Sequence, residues 1–426
     1  MTEKLFELKP ELDRALTEAA ATSRALRASS EKSRNAVLVA LEKKLSSESH
    51  SILKANAADL AALSREANAA FRDRLTLTPE RLEGMRESLR QVIRLEDPLG
   101  EVVEAKRLEN GLIAKRVRSP LGLILMIFES RPNVAIEAFS LALKSGNALV
   151  LRGGKESRET VTVLYRLIGE SLSEAGLPPQ VFFGMTDPDR EMVRALLAEK
   201  DRIDVVVPRG GDGLIQFVVE NARMPIIKND RGMCHLYVHS DADLDRAVLI
   251  LENAKVQRPG VCNSVETVII HSAVLSSFVE KMGTNEGLRR VEFRADAKSY
   301  SSLDHAFPGR VREADVKDFD TEYLDLILNV KVVDSASQAM AHIETHGSKH
   351  SEAILTRDEK LARLFQSEVD AAAVYWNAST RFTDGFELGL GGELGISTQK
   401  LHVRGPVGLR ELTSIRWIID GQGQIR

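Results

Sequence analysis

Apolar and polar positions follow two different periods along this chain, and the switch between them divides it. Through Leu12–Leu26 and Ala36–Leu60, leucine and alanine recur at helical spacing among charged residues, with Ser-rich breaks between. Thr78-Pro79-Glu80 reads as a helix start: a capping hydroxyl, a proline where the missing N–H costs nothing, and an acid at the positive end of the dipole. The first hundred residues are therefore expected to be helical. Between Val102 and Val117 two extended runs flank Asn110-Gly111, which predicts a hairpin with a two-residue turn.

From Leu121 strand and helix alternate. The run GLILMIF is apolar throughout, as a parallel strand buried on both faces must be. A helix (NVAIEAFSLALKSG) follows and closes on Gly146. Then come strand NALVLRGG, a helix through Val161–Ala175, strand QVFFGM, helix REMVRALLAEK, strand IDVVVP and helix DGLIQFVVENA. A second series starts near Cys234: HLYVHS, the helix Asp243–Lys255, VETVIIH, SSFVEKM, NVKVVD, QAMAHIETH, EAILT, KLARLFQSEV and AAVYWNA. Strands alternating with helices require crossover connections and parallel sheets. The expectation is two doubly wound α/β lobes joined near residue 230, with a cleft where a cofactor on one would meet a substrate on the other.

Composition narrows the function. The 426 residues suit two or three domains, and 43% hydrophobic with 28% charged residues is the balance of a soluble globular protein. Lys+Arg of 58 against Asp+Glu of 62 gives a net charge of −4, which argues against nucleic acid or an anionic membrane as partner. No targeting signal is evident at the charged N-terminus, and the longest apolar stretch, around Leu123–Phe128, is far too short to span a membrane. Two cysteines, Cys234 and Cys262, are too few for a disulfide framework, so the chain reads as cytoplasmic with both thiols reduced. No metal site is expected: His342 and His346 lie four apart but lack an H-E-x-x-H pattern, and read as solvated helix histidines.

Four loops could carry chemistry. Residues 207–213 (VPRGGDG) join a buried strand to a helix, and their glycines would let backbone N–H groups approach a phosphate, although the G-x-G-x-x-G spacing is absent. Residues 151–155 (LRGGK) end a strand with two cations, and a solvated basic turn explains them equally well. In Arg258–Cys262 (RPGVC) the cysteine sits after a helix and a Pro-Gly turn and before a strand; an activated nucleophile and a buried structural thiol are evenly balanced. Cys234, between Met233 and His235 at a strand start, reads as core. The loop 377–385 (NASTRFTDG) is dense in polar groups and suits a small carboxylate-bearing substrate with Arg381 as charge partner, against a structural turn as the alternative.

Taken together, the stretches SPLGLILMIFESRPNV, LALKSGNALVLRGGKES, VPRGGDGLIQFV, NAKVQRPGVCNSVET and NASTRFTDGFELGLGGELGISTQKLHVRGPVGL resemble the γ-glutamyl phosphate reductase family of the aldehyde dehydrogenase superfamily, over most of residues 100–416. The resemblance implies an aldehyde-dehydrogenase-like α/β fold of two doubly wound parallel lobes with an oligomerisation hairpin. Residues 1–228 would hold the N-terminal helices and the dinucleotide-binding domain, with the hairpin at 101–118. Residues 229–387 would form the catalytic domain, and 388–426 would return to the cofactor domain and end in an oligomerisation strand at 413–419. It implies Cys262 as nucleophile and Asn133 as an oxyanion donor. It places Arg152, Gly153, Lys155, Arg209, Gly210, Gly211 and Glu322 along the cofactor, with Arg152 facing the 2′-phosphate of NADPH, and Asn377, Ser379, Arg381 and Asp384 at the substrate end. Where oxidising relatives carry a glutamate base, residues 228–232 read KNDRG, with Asn229 near its place, which would spare a thioester from water.

The implied reaction is the NADPH-dependent reduction of γ-glutamyl phosphate to glutamate 5-semialdehyde, on the way to proline, by a cytoplasmic homo-oligomer. The resemblance leaves room for docking on glutamate 5-kinase, the source of that labile substrate. Two other readings compete with it: a dehydrogenase of some other aldehyde, against which residues 228–232 speak, and an inactive binding homologue, against which Cys262, Asn133 and loop 377–385 speak.

Overall fold

The structure is a computed structural model that describes residues 8–64, 69–186, 189–228 and 231–426. The chain divides into two compact units, residues 1–229 with 389–395 and 406–426, and residues 230–388 with 396–405.

The first unit opens with α1 (Pro10–Ala28), α2 (Glu31–Ser47), α3 (Ser49–Ala62), α4 (Ala69–Leu75) and α5 (Pro79–Arg94). Helix α5 starts where its sequence says it should: Thr78 Oγ1 accepts the Arg81 N–H at 3.2 Å and Pro79 fills the first turn. The hairpin strands β1 (Val102–Arg107) and β2 (Ile113–Pro120) pair antiparallel. Their turn is longer than the expected two residues. The Leu108 N–H bonds Leu112 O at 2.8 Å, so three residues turn the chain, and Asn110 spends its side chain on the Leu112 N–H. Gly111, at φ +88°, supplies the left-handed residue that a three-residue hairpin uses.

Next come β3 (Leu123–Phe128), α6 (Val134–Lys144), β4 (Ala148–Arg152), α7 (Arg158–Glu174), β5 (Phe182–Met185), α8 (Arg190–Leu197), β6 (Val205–Arg209) and α9 (Asp212–Asn221). The strands form a parallel sheet in the order β5-β4-β3-β6. All six residues of β3 are buried, as an interior strand covered on both faces requires. The chain leaves β3 towards β4 on one side, while β6 lies on the other, so the sheet has its topological switch between β3 and β6.

The second unit contains β7 (Cys234–Val238), α10 (Leu244–Val256), β8 (Val265–His271), α11 (Leu275–Thr284), β9 (Glu292–Ala295), α12 (Tyr300–Ala306), β10 (Val311–Glu313), β11 (Ile327–Val333), α13 (Ala336–His346), β12 (Ser351–Leu355), α14 (Glu359–Glu368) and β13 (Ala373–Trp376). Its sheet is parallel throughout, in the order β10-β9-β11-β8-β7-β12-β13. The periodicity reading passed over β9, α12 and β10. These are short elements, and charged residues such as Glu292, Arg294 and Arg312 interrupt the apolar pattern in both strands. The histidines of α13 also differ from expectation. His342 is buried, packed edge-on against His235 and Phe319, and only His346 reaches an acid, Asp320 at 2.8 Å.

Strands β14 (Ile396–Ser397) and β15 (Gly405–Pro406) pair with each other, and β16 (Thr413–Asp420) pairs antiparallel with β2, completing a three-stranded sheet β1-β2-β16. No described helix is long and apolar enough to cross a membrane. Among the described residues no group of three or more His, Cys, Asp or Glu is placed to hold a metal ion.

Candidate functional site

In the second unit, Cys262 lies on the loop that carries the chain from the end of α10 into the amino end of β8. After Pro259-Gly260 the backbone makes a tight turn, closed by the Ser264 N–H on Val261 O at 3.0 Å, which puts Cys262 and Asn263 at its corner. Ser264 Oγ donates to Ala254 O at 3.1 Å and fixes the turn to the last coil of α10. Cys262 is partly exposed, whereas Cys234 is buried.

The residues on either side of Cys262 are held by side chains from the loop after β13. Asn263 is 3% exposed. Its amide donates to Thr383 O at 2.8 Å, its side-chain oxygen accepts from Arg381 Nη1, and its carbonyl accepts from Thr380 Oγ1 at 2.7 Å. Arg381 Nε reaches Gln257 Oε1 at 3.2 Å, so one guanidinium spans the loop from before the Pro-Gly turn to after the cysteine. Burial pushes the Arg381 guanidinium below the ordinary arginine range, and Asp384 works against that shift. Thr383 is anchored in turn: its hydroxyl lies 2.7 Å from Ser351 Oγ and 2.8 Å from Tyr375 Oη.

Beneath the cysteine, the Cys234 thiol donates to Cys262 O at 3.2 Å. Burial pushes the Cys234 thiol well up, which keeps it protonated and able to donate. Gly232 presses on the same peptide group: a Cβ there would lie 1.6 Å from Cys262 O, so no other residue fits without moving Cys262. Glu322 Oε1 accepts the Gly232 N–H at 2.8 Å. Lys255 and Glu266 flank the loop as a buried ion pair at 2.8 Å; burial pushes Lys255 down and Glu266 up to about 7. Asn229 lies outside the described residues.

The loop predicted as one substrate-facing group is divided. Residues 379–383 return to the amino edge of the sheet beside Cys262. Ser379 Oγ caps their short turn through the Arg381 N–H at 3.2 Å, and Asp384 accepts the Phe386 N–H at 2.9 Å. Asn377 stays at the carboxyl edge, directly after β13. Both ends of its amide bond the backbone of Thr356, at 3.0 and 2.9 Å, and it holds φ +55°. The structure therefore gives Asn377 a structural job at the opposite edge of the sheet from Cys262.

Six of the seven residues predicted along a cofactor lie at the carboxyl ends of β4 and β6 of the first unit, at the edge where doubly wound sheets take nucleotides, whereas Glu322 belongs to the second unit, bonded to Gly232. Arg152 ends β4, with Gly153 and Lys155 just beyond it, and Arg209 ends β6 and leads into Gly210 and Gly211. Burial lowers the Arg152 pKa, and Glu156 and Glu129 counter it. The arrangement fits a dinucleotide: three cations for phosphates, and at Gly210 a backbone so close to Glu129 that a Cβ would sit 2.4 Å from its carboxylate. One detail departs from the sequence reading. Glu129 Oε2 accepts the Gly211 N–H at 3.1 Å, so a donor assigned to a phosphate is already bonded. Glu156 similarly takes the Ser130 N–H at 2.6 Å. Asn133 stands at the N-cap position of α6, but its side chain makes no capping hydrogen bond to the helix.

Sequence reasoning missed Asn263, Thr380, Thr383, Gly232, Glu129 and Glu156. Asn263 stands in the RPGVCN run and both threonines in NASTRFTDG, so the signal was present but its pairing was not. The two glutamates also stand in quoted stretches, IFESRPNV and LRGGKES, but their backbone pairings are not written there.

Comparison with known proteins agrees on one relationship. Residues 8–292 match the aldehyde dehydrogenase family. A γ-glutamyl phosphate reductase of Streptococcus suis is 46% identical over 394 residues, 92% of this chain and 94% of that protein. The crystal structure of γ-glutamyl phosphate reductase from Thermotoga maritima superposes with a TM-score of 0.91 at 40% identity, covering 98% of this chain and 100% of that one. That of the Saccharomyces cerevisiae reductase covers 98% and 99%, with a TM-score of 0.53 at 30% identity.

Proposed function

Because the chain belongs to the aldehyde dehydrogenase family and, within it, to the γ-glutamyl phosphate reductases, we propose that it reduces γ-glutamyl 5-phosphate with NADPH to glutamate 5-semialdehyde and phosphate, the second step from glutamate to proline. The observation that carries this reading is the braced, partly exposed Cys262. Its thiolate bonds the acyl carbon, the carbon–oxygen bond to phosphate breaks, and phosphate departs with the electron pair. A reduced nicotinamide, when bound, supplies the hydride that takes the resulting thioester to the aldehyde level. Collapse of the hemithioacetal then returns the Cys262 thiolate.

The protein's own groups divide this work. Arg152, Lys155 and Arg209, with Gly153, Gly210 and Gly211, would hold the cofactor, and the Asn133 amide would donate to the oxyanion, a contribution of about 2.7–4 kcal/mol. Glu322 steadies Gly232 under the cysteine. Ser379, Arg381 and Asp384, on the loop that bonds Asn263, would lie towards the substrate. The test is the reverse reaction with semialdehyde, phosphate and NADP⁺. Reduction of NADP⁺ should require phosphate and vanish in Cys262→Ala; reduction indifferent to phosphate would instead mean an oxidising aldehyde dehydrogenase.

The reading extends to a homo-oligomer built on the sheet β1-β2-β16. Ile415, Trp417 and Ile419 alternate onto one face of β16 and are 40%, 56% and 57% exposed, a row of large apolar side chains at a sheet edge that a second copy would cover. Sedimentation should show Ile419→Asp shifting the protein towards monomer; an unchanged assembly would remove this interface.

A further inference from the structure

Two arginines belong to the surroundings of Cys262, and the protein uses them differently. Arg381 is spent on holding the loop, bonding Gln257 on one side of the cysteine and Asn263 on the other. Arg258 follows Gln257 directly, is exposed, and enters no ion pair or hydrogen bond among the described residues. The two cations sense each other: besides burial, Arg258 opposes the charge on Arg381, while Asp384 and Glu387 favour it. Arg258 stands four residues before Cys262. Even a fully extended backbone could separate them by at most roughly 14 Å, and the turns at Pro259-Gly260 and Val261–Ser264 shorten that span.

We propose that Arg258 receives the phosphoryl group of the substrate: it holds the phosphate as it leaves the acyl carbon, and binds inorganic phosphate in the reverse direction. The inference rests on the acyl-phosphate reading given above. Of the anionic groups on such a substrate, only the phosphate is bonded to the reacting carbon, so it alone must lie beside the nucleophile and within reach of the nucleophile's own loop. A guanidinium fork matches two phosphate oxygens at once, and an arginine with no protein partner has both edges to offer. As the carbon–sulfur bond forms and the carbon–oxygen bond breaks, charge gathers on the phosphate, where Arg258 stabilises it.

The closing experiment separates the two claims by using semialdehyde and NADP⁺ with and without phosphate. Without phosphate, the wild-type protein should give a burst of about one reduced cofactor per site and stop at the thioester. Arg258→Ala should keep the burst amplitude, which also reports correctly folded sites, while its KM for phosphate rises tenfold or more in steady state. Arg258→Lys should recover part of that loss, because it keeps the charge without the fork. An unchanged phosphate KM in Arg258→Ala overturns the proposal and leaves the acyl-phosphate reading standing. So does a rise confined to the KM for semialdehyde, which would place Arg258 on the substrate's carboxylate. A wild-type protein with no burst overturns the acyl-enzyme reading, and this inference with it.

Discussion

The two parallel sheets of this molecule place their candidate chemistry at opposite edges. In the first unit the named residues follow their strands, on the loops after β3, β4 and β6. In the second, Cys262 and Gly232 precede β8 and β7; the residues that brace Asn263 beside the cysteine reach back from beyond β13, while Glu322, from before β11, holds Gly232. Under the function proposed above, the contrast follows from what each site would have to do. A nucleotide needs cations and bare backbone, which short loops at a carboxyl edge supply without outside help. A nucleophile must be held to within a fraction of an ångström, and a turn of four residues cannot do that alone. It therefore recruits Arg381, Thr380 and Thr383, and a second cysteine below.

The sharpest way to break this contrast is Gly232→Ala. The new Cβ would strike the Cys262 carbonyl. A displacement of about 1 Å at a reacting atom can cost roughly a hundredfold in rate, and kcat should fall at least that far. Cofactor binding, measured by fluorescence titration, should hold; weakened cofactor binding would show that the two regions are not separate in function.

Asn263→Ala tests the brace more gently. It leaves the Arg381 and Thr383 partners unmet, a loss of about 1–3 kcal/mol. A fall in kcat of roughly ten- to a hundredfold is expected, with slower alkylation of Cys262 by a thiol reagent and an unchanged cofactor affinity. Full activity would mean that Thr380 and Cys234 suffice to place the nucleophile.

The smallest effect concerns pH and distinguishes the units by stability. Burial, with His235 and His346 nearby, pushes the His342 pKa down to about 3. Since the folded protein then binds fewer protons at His342 than the unfolded chain below about pH 6.5, stability is lost as pH falls, by up to roughly 1.4 kcal/mol per unit. Glu266, raised to about 7 by burial, has the opposite sign between its ordinary pKa of 4.5 and 7 and offsets part of the trend there. His342→Phe should flatten the decline in thermal midpoint between pH 6 and 4. The two tryptophans, Trp376 in the second unit and Trp417 in the first, let fluorescence follow each unit, and the change should appear at Trp376. An identical acid profile in the variant would remove His342 as the cause.

Much of the fold was legible because strands such as β3, β4 and β6 are buried along nearly their whole length and so are written as largely apolar runs. Strands β9 and β10 escaped because they are short and mix charges with apolar residues. The hairpin turn was misjudged by one residue, since the Asn110 side chain bonds the backbone and allows a third residue in. His342 read as solvated because spacing along a helix does not say which face meets a sheet. In the site, the residue types around Cys262 were visible in RPGVCN and NASTRFTDG. What could not be read is that Asn263 is bonded to residues 117 to 120 positions away, or that Asn377 turns from that cluster to hold Thr356.

The late arrival of those partners sets a timetable for a chain made from its N-terminus. Cys262 emerges well before Thr383, and at about 5–20 residues per second the roughly 120 residues between them take some 6–24 s to synthesise. During that interval Asn263 beside the thiol lacks its partners in residues 380–383, and the sheet β1-β2 still lacks β16. If Cys262 is the nucleophile proposed above, its placement waits on the completion of its own translation, and a ribosome stalled before residue 380 carries a cysteine that lacks the bonds from Thr380, Arg381 and Thr383.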